Sequence, residues 1–380
     1  MTGLPPLGVY VHWPYCARIC PYCDFNVFKD RKGDEPAALA RAIVADLEAQ
    51  RVLTGPRTLA SVFLGGGTPS LMDPAWAASI IAAARALWTP ADDLEVTLEA
   101  NPTDAEAAHF AAFAGAGVNR LSLGLQALDD TALKSLGRNH DAATAVRAAK
   151  VAAKVFRRLS IDMIYARPGQ TPAAWADELA AALDLGAEHV SPYQLTIEAG
   201  TAFDRAVARG LFIPPDAETG AALFETTQRV LEHAGFEAYE VSNHARGQAA
   251  RSRHNLIYWQ GQDYVGAVPG AHGRITLQGA RHATYAAKRP ADYIARVAEA
   301  GFGLVERETL SPREAAQERL LSGLRITDGV ARAEVAALDL PEDRIADLVA
   351  LGLLADDPHR LRATPAGRLV LDRLTMELAS

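Results

Sequence analysis

From residue 8 to residue 241 the chain alternates two hydrophobic patterns. Short runs rich in β-branched and aromatic residues fall at 8–12, 61–64, 94–98, 120–125, 159–164, 189–195 and 237–241. Between them lie Ala-, Leu- and Glu-rich stretches with helical apolar spacing at 35–53, 74–87, 105–114, 142–156, 172–185 and 218–234. The first kind predicts strands and the second amphipathic helices. Asp104, ahead of Ala105 and Glu106, and Asp141 are the expected helix N-caps. Strands alternating with helices of this length predict βαβ units around a parallel sheet, an α/β fold. Repeated right-handed crossovers close or partly close a barrel. An open doubly wound sheet competes, but polar motifs follow the strands, which favours the barrel.

The texture changes after Asn243. The next stretch is rich in His, Gly and aromatic residues, with Arg253-His-Asn-Leu-Ile-Tyr-Trp259 followed by Tyr264-Val-Gly-Ala-Val-Pro-Gly-Ala-His-Gly273. From Ser311 helical patterns at 312–324, 332–337 and 341–351 precede a short β-like run at 361–363 and a last helix at 365–378. The expected organisation is a barrel over 1–243, a smaller α+β region over 244–310, and a winged-helix-like module over 311–380. That module reads as a packing or partner surface.

Composition narrows the function. The 380 residues carry 38 Lys+Arg against 46 Asp+Glu, a net charge of −8, so no nucleic-acid partner is expected. No apolar run is long enough for a transmembrane helix, and residues 1–14 lack a signal-peptide pattern, so the cytoplasm is the expected compartment. Only three cysteines occur, all between Cys16 and Cys23. An odd, tightly spaced set in a reducing compartment points away from disulfides and toward a metal.

Cys16-Ala-Arg-Ile-Cys20-Pro-Tyr-Cys23 has the spacing C-x3-C-x2-C. A closed zinc site needs a fourth ligand, and His12 is a candidate. Three thiolates on one short loop also suit three corners of an iron–sulfur cube with one iron left open. Polar groups follow the later strands: Gly65-Gly-Gly-Thr-Pro69, Glu99, Gln126, Arg138, Asp162, Tyr193 and Gln194. The glycines let backbone approach a ligand closely. Asp162 interrupts an apolar strand, which is costly unless the carboxylate is paired or ligand-bound.

The cysteine spacing with Tyr22 before its last member resembles the radical S-adenosylmethionine (SAM) superfamily. The flanking Tyr10-Val-His-Trp-Pro-Tyr-Cys16 is similar to its oxygen-independent coproporphyrinogen III oxidase-like branch. The resemblance implies a partial (β/α)6 barrel with a [4Fe–4S] cluster on Cys16, Cys20 and Cys23. It implies SAM contacts from Tyr10, Tyr22, Gly66, Gly67, Thr68, Glu99, Gln126, Arg138 and Asp162. SAM cleavage to a 5′-deoxyadenosyl radical is the chemistry such a site implies, and the catalytic residues stay unassigned. Asp24 is expected near the cluster.

Within that branch the oxidases carry a further cysteine two residues after the third, where this chain has Phe25, and a longer segment ahead of the cysteine loop. Both departures argue against coproporphyrinogen oxidation. His254-Asn-Leu-Ile-Tyr-Trp259 and Gly266–Gly273 instead resemble the HemW family of haem chaperones. That implies bound haem, with His254, His272, Tyr258 and Trp259 as candidate contacts. It also implies transfer to an acceptor haem protein, such as a respiratory one, peripheral membrane association through that acceptor, and a monomer or dimer. The alternative function is the radical SAM dehydrogenase that decarboxylates coproporphyrinogen III.

Overall fold

The computed structural model describes residues 4–29, 35–104 and 107–379. Twelve strands form one sheet. Six come first and are parallel: β1 (Leu7–Trp13), β2 (Thr58–Gly66), β3 (Thr89–Ala100), β4 (Arg120–Gln126), β5 (Arg158–Tyr165) and β6 (His189–Gln194). They lie side by side in chain order. A doubly wound sheet reverses its order at a switch point, and these six do not. The helices Glu35–Thr54, Pro74–Leu87, Ala107–Gly115, Ala142–Val155, Pro172–Leu183 and Ala217–His233 follow the six strands in turn. Asp141 caps its helix as expected, its carboxylate accepting from the Thr144 N–H at 2.7 Å. The start expected at Ala105 and Glu106 lies outside the described residues.

Both ends of this series are extended. The hairpin β7 (Glu237–Glu240) and β8 (Asn243–Ala245) adds antiparallel beside β6. On the other side β9 (Asp263–Gly266) pairs parallel with β1, and β10 (His272–Leu277), β11 (Ala280–Ala286) and β12 (Leu304–Thr309) follow antiparallel. The order is therefore β12-β11-β10-β9-β1-β2-β3-β4-β5-β6-β8-β7. Because β1 already has a neighbour on each side, it does not pair with β6, and the barrel is partial. Residues 244–310, expected as a separate region, thus continue the barrel's own sheet. Val265, Ile275, Tyr293 and Leu304 join the barrel's core.

The strands are two-faced. On β2 to β6 the residues Val62, Leu64, Val96, Leu98, Leu121, Leu123, Leu159, Ile161 and Val190 are fully or nearly fully buried and share one core. The alternate positions Ser61, Glu95, Thr97, Arg120, Ser122, Ser160, His189 and Ser191 are polar and also buried. Ladder register places Glu99 opposite Ser122, Gly124 opposite Asp162, and Asp162 opposite Ser191. Strand residues of one parity share a face, so this barrel carries a buried polar face as well as its apolar one.

Residues 312–379 build a second core around Leu320, Leu324, Val335, Ile345, Leu348, Leu361 and Leu374. The helices Pro312–Gly323 and Glu342–Ala350 appear as expected, while 332–338 is a 3₁₀ turn. Val330–Ala331 pairs antiparallel with Arg360–Leu361. The expected last helix is two pieces, Pro365–Leu369 and Leu371–Ala379, because Val370 leaves helical geometry at φ −121° and ψ 31°. The module is pinned to the barrel by Glu240, whose side chain is shut from solvent and pairs with Arg325 at 2.6 Å. Among the described residues no helix is long and apolar enough to cross a membrane.

Candidate functional site

The C-terminal ends of the parallel strands open into a cavity of 380 Å³. Cys16, Cys20 and Cys23 all line it, as do Tyr22, Gly66, Gly67, Thr68, Glu99, Gln126, Arg138 and Asp162. The cysteine loop is built from backbone outward. Tyr15–Cys16 pairs with Phe28–Lys29, and the Phe28 N–H donates to the Pro14 carbonyl at 2.8 Å. The Cys23 N–H closes a turn on the Cys20 carbonyl at 3.1 Å.

The glycine stretch after β2 packs directly under this loop. Gly67 and Thr68 donate their N–H groups to the Trp13 and Tyr15 carbonyls at 2.8 and 2.9 Å. Gly66 sits at φ +105°, and a Cβ there would lie 2.4 Å from the His12 ring. At Gly67 a Cβ would lie 2.8 Å from two carbonyl oxygens and 3.0 Å from the Cys16 sulfur. Only glycine lets the strand end come this close to the thiols.

Charge on the cavity wall is arranged in opposite signs. Glu99 accepts from the Gly66 N–H at 3.0 Å. Burial, with Asp162 nearby, pushes its carboxyl up to about 8. Burial likewise raises Asp162 to about 6, although Ser122 donates to both its oxygens at 3.2 and 3.0 Å. Arg120 offsets that burial only in part at both carboxyls, and a ligand bearing a cation would restore their ionised form. Opposite them Arg138 donates to the Cys20 sulfur at 3.5 Å, to the Gly124 carbonyl at 3.2 Å and to Asn101. Burial opposes its charge, but Tyr22 and Cys20 hold the guanidinium firmly protonated. Burial lifts the Cys23 thiol to about 11, with Cys20 and Cys16 adding to the shift, and raises the Cys16 thiol, with Cys20 adding. Iron reverses that preference, since a metal-bound thiol is deprotonated.

Gln126 Oε1 and Arg138 Nε are buried with no protein partner, and both residues line the cavity. Buried polar atoms are almost always satisfied, so these await polar groups from a ligand. Gln126 also holds φ +68°, a strained backbone for a side-chain-bearing residue, and such strain gathers at functional sites. The three thiols sit on one loop in the cavity lining, and a cubane takes each thiolate on its own iron. The residues fit a [4Fe–4S] cluster with a ligand beside it.

Several expected residues lie elsewhere. Tyr10 is not at the cavity. Its side chain points below the strand ends, donates to His12 Nδ1 at 3.0 Å, stacks on His254 and lies tilted against Phe63. His12 cannot be a fourth ligand, because its other nitrogen lies 2.8 Å from the Asn26 carbonyl. His254, Tyr258 and Trp259 sit on the helix Arg253–Trp259, which packs against β2 and β9. The His254 ring is buried, with Nδ1 at 2.8 Å from Ser61 Oγ and Nε2 at 3.1 Å from the Tyr258 hydroxyl. Both nitrogens are occupied, which leaves none for iron. Burial pushes its pKa down to about 3. Ser61 precedes the rim residue Gly66 by five strand positions, or roughly 16 Å at 3.3 Å per residue. Trp259 lies under the Arg325 guanidinium at 4.7 Å. His272, at the start of β10, is exposed and touches Tyr285 edge-on.

Asp24 lines the cavity beside Cys23, and Tyr193 and Gln194 line it from the end of β6. Two residues were missed. Asn101 joins Thr68 and Arg138 across the cavity wall. Its signal was the polar residue ahead of Pro102 at a strand end. Asn26 had no signal, because its partners lie far along the chain. Its side-chain amide donates to the Pro269 and Lys288 carbonyls at 3.1 and 2.9 Å.

Comparison with known proteins agrees with this geometry. Residues 10–182 match the model of the radical SAM superfamily, and 310–370 match the HemN C-terminal domain. The mitochondrial radical S-adenosyl methionine domain-containing protein 1 of Bos taurus is 42% identical over 100% of this chain and 88% of its own length. The haem chaperone HemW of Mycobacterium tuberculosis is 35% identical over 98% of this chain and 95% of its own. HemW of Escherichia coli is 33% identical, covering 98% of each. The coproporphyrinogen III oxidase HemN of Escherichia coli shares the fold at a TM-score of 0.81 and 20% identity, covering 99% of this chain and 91% of that one. Membership of the superfamily implies a [4Fe–4S] cluster and SAM. The chain belongs to the radical SAM superfamily, in its HemN-like branch with the HemW proteins among its relatives.

Proposed function

We propose that this protein is a haem chaperone, which binds haem and hands it to acceptor haem proteins in the cytoplasm or at a membrane where the acceptor resides. The observation that carries the reading is near full-length similarity to two HemW proteins, together with Phe25, rather than a fourth cysteine, at the cavity.

Cys16, Cys20 and Cys23 would hold the cluster. When bound, it supplies an open iron and an electron to SAM. Glu99 and Asp162 offer carboxylates to SAM's cationic and hydroxyl groups, and Arg138 offers a guanidinium to its carboxylate. Gly66, Gly67 and Thr68 bring backbone close, while Gln126 turns an unpaired oxygen inward. Tyr22 covers Arg138 and the Cys20 sulfur. Of the two histidine candidates for haem iron, His272 has the exposed ring. His254 instead joins β2 to the helix beneath it.

The test uses reconstituted, anaerobic protein. Haem should bind and pass to an apo-acceptor. The second reading, oxidative decarboxylation of coproporphyrinogen III, is favoured by the shared HemN fold alone. Incubation with coproporphyrinogen, SAM and a reductant should give no protoporphyrinogen, and its formation would displace the chaperone reading.

A further inference from the structure

The rim of the cysteine cavity exposes apolar side chains that its polar floor does not need. Phe25 is 60% exposed, Tyr193 42% and Ile19 40%, and all three line the cavity. Among the described residues the other large apolar side chains exposed to this degree lie outside that lining. A clustered exposed apolar patch beside a polar cleft marks an interaction site.

Phe25 is not on a slack loop. The Val27 N–H closes a turn on the Phe25 carbonyl at 2.8 Å. The next residue, Asn26, is gripped on both sides, by His12 through its carbonyl and by two distant carbonyls through its amide. The aromatic ring is therefore presented from a braced turn. Tyr193 comes from the far end of the parallel series, so the two rings border the mouth from different walls.

Arg18 also lines the mouth, exposed and without an ion pair among the described residues. The remaining rim charges, Asp24 and Glu198, are acidic. Carboxylates on a bound molecule are repelled from those positions and drawn to Arg18. The cavity is at the small end of ligand-sized pockets, and the thiols with Glu99, Arg138 and Asp162 occupy its floor. A broad molecule must lie across the rim. Flat, apolar and carboxylate-edged is the chemistry of a tetrapyrrole.

Resting on the haem reading above, we infer that Phe25, Ile19 and Tyr193 form a platform for the face of haem, with Arg18 pairing to its propionate edge. The platform recognises the macrocycle and not the iron. Aromatic stacking suffices for roughly tenfold in affinity, and the exposed Arg18 pair for about a few-fold, which charge reversal enlarges.

The experiment titrates cluster-loaded protein with haem, with metal-free protoporphyrin IX and with haem dimethyl ester. Phe25→Ala should weaken haem and protoporphyrin IX about tenfold each, and Phe25→Trp should restore both. Arg18→Glu should weaken haem about tenfold and leave the ester unchanged. Iron content, SAM binding by equilibrium dialysis and melting temperature should match the parent in the single Phe25 and Arg18 variants, since these side chains are exposed. Phe25→Ala and a Phe25→Ala/Tyr193→Ala pair that bind both porphyrins as tightly as the parent would overturn the platform while leaving the haem reading intact. A parent protein that binds neither porphyrin would overturn both.

Discussion

The two ends of the barrel interior use the same kinds of residue to opposite ends. At the lower end Glu95 accepts from the Arg253 and His254 N–H groups at 3.1 Å each and from Arg158 at 2.9 Å. Arg158 also reaches the Arg251 carbonyl at 3.0 Å and Glu188 at 3.2 Å. His254 is held on both nitrogens. At the upper end Gln126 and Arg138 keep buried atoms without partners, two carboxylates share a wall, and Phe25 stands in solvent. A buried polar network that satisfies itself specifies structure. One that leaves donors and acceptors open is shaped for something else to complete.

The sharpest way to break this contrast is at the thiols. Cys20→Ala should drop iron from about four per chain, as one cubane requires, to under one, with the melting temperature of the metal-free protein unchanged. Iron retained at parental levels would remove the rim's claim to be a ligand site. Glu95→Ala attacks the other end. It leaves two buried backbone N–H groups unpaired and takes from Arg158 one of its two carboxylate partners, at a cost of about 3–5 kcal/mol. Urea melts should show that loss, while iron bound per folded chain holds steady.

The histidines sharpen the contrast further. His254→Ala should cost about 2–3 kcal/mol, because it leaves Ser61 and Tyr258 without their ring partner, yet leave haem binding per folded molecule near the parent's. His272→Ala should do the reverse, weakening haem about tenfold with stability unchanged. The same titrations and melts check both, and a swapped outcome would make the lower helix the haem site.

The last contrast is electrostatic. The folded pKa of Glu99, about 8, and of Asp162, about 6, lie above their ordinary carboxylate values. A raised folded pKa favours the neutral form, so its stabilising contribution is full below about pH 4 and is lost as pH rises through 6 and then 8. The melting temperature of the SAM-free protein should therefore fall across that range. Glu99→Gln should flatten the upper part of the fall, between pH 6 and 8. Parallel curves for the parent and the variant would show that Glu99 stays ionised through this range, with Arg120 as its counter-charge.

The cysteine loop, the strand-following polar residues and the alternation of strands and helices were legible because each is a local signal. Cys16, Cys20 and Cys23 are eight positions end to end, and alternation along β3 to β5 separates polar from apolar parity within a single strand. Height along a strand was not legible. Tyr10 and Gly66 both belong to the barrel wall, but periodicity tells which face a residue takes and not how far below the rim it lies. His254 failed for a related reason. A histidine beside Tyr and Trp has the same composition whether it braces an interior or meets a flat ligand, and the partner that decides it, Ser61, is 193 positions away. The break at Val370 was equally silent, since the apolar pattern runs through it.

Asn26 bears on how the protein is made. The amide that fixes the loop between the thiols and β1 donates to carbonyls 243 and 262 residues downstream. At about 5–20 residues per second of synthesis, the last of these leaves the ribosome roughly 13 to 50 s after Asn26 itself. Through that interval the loop that carries the three thiols has its nearby partners, His12 and the Gly67–Thr68 turn, but lacks its two brackets from the far part of the chain.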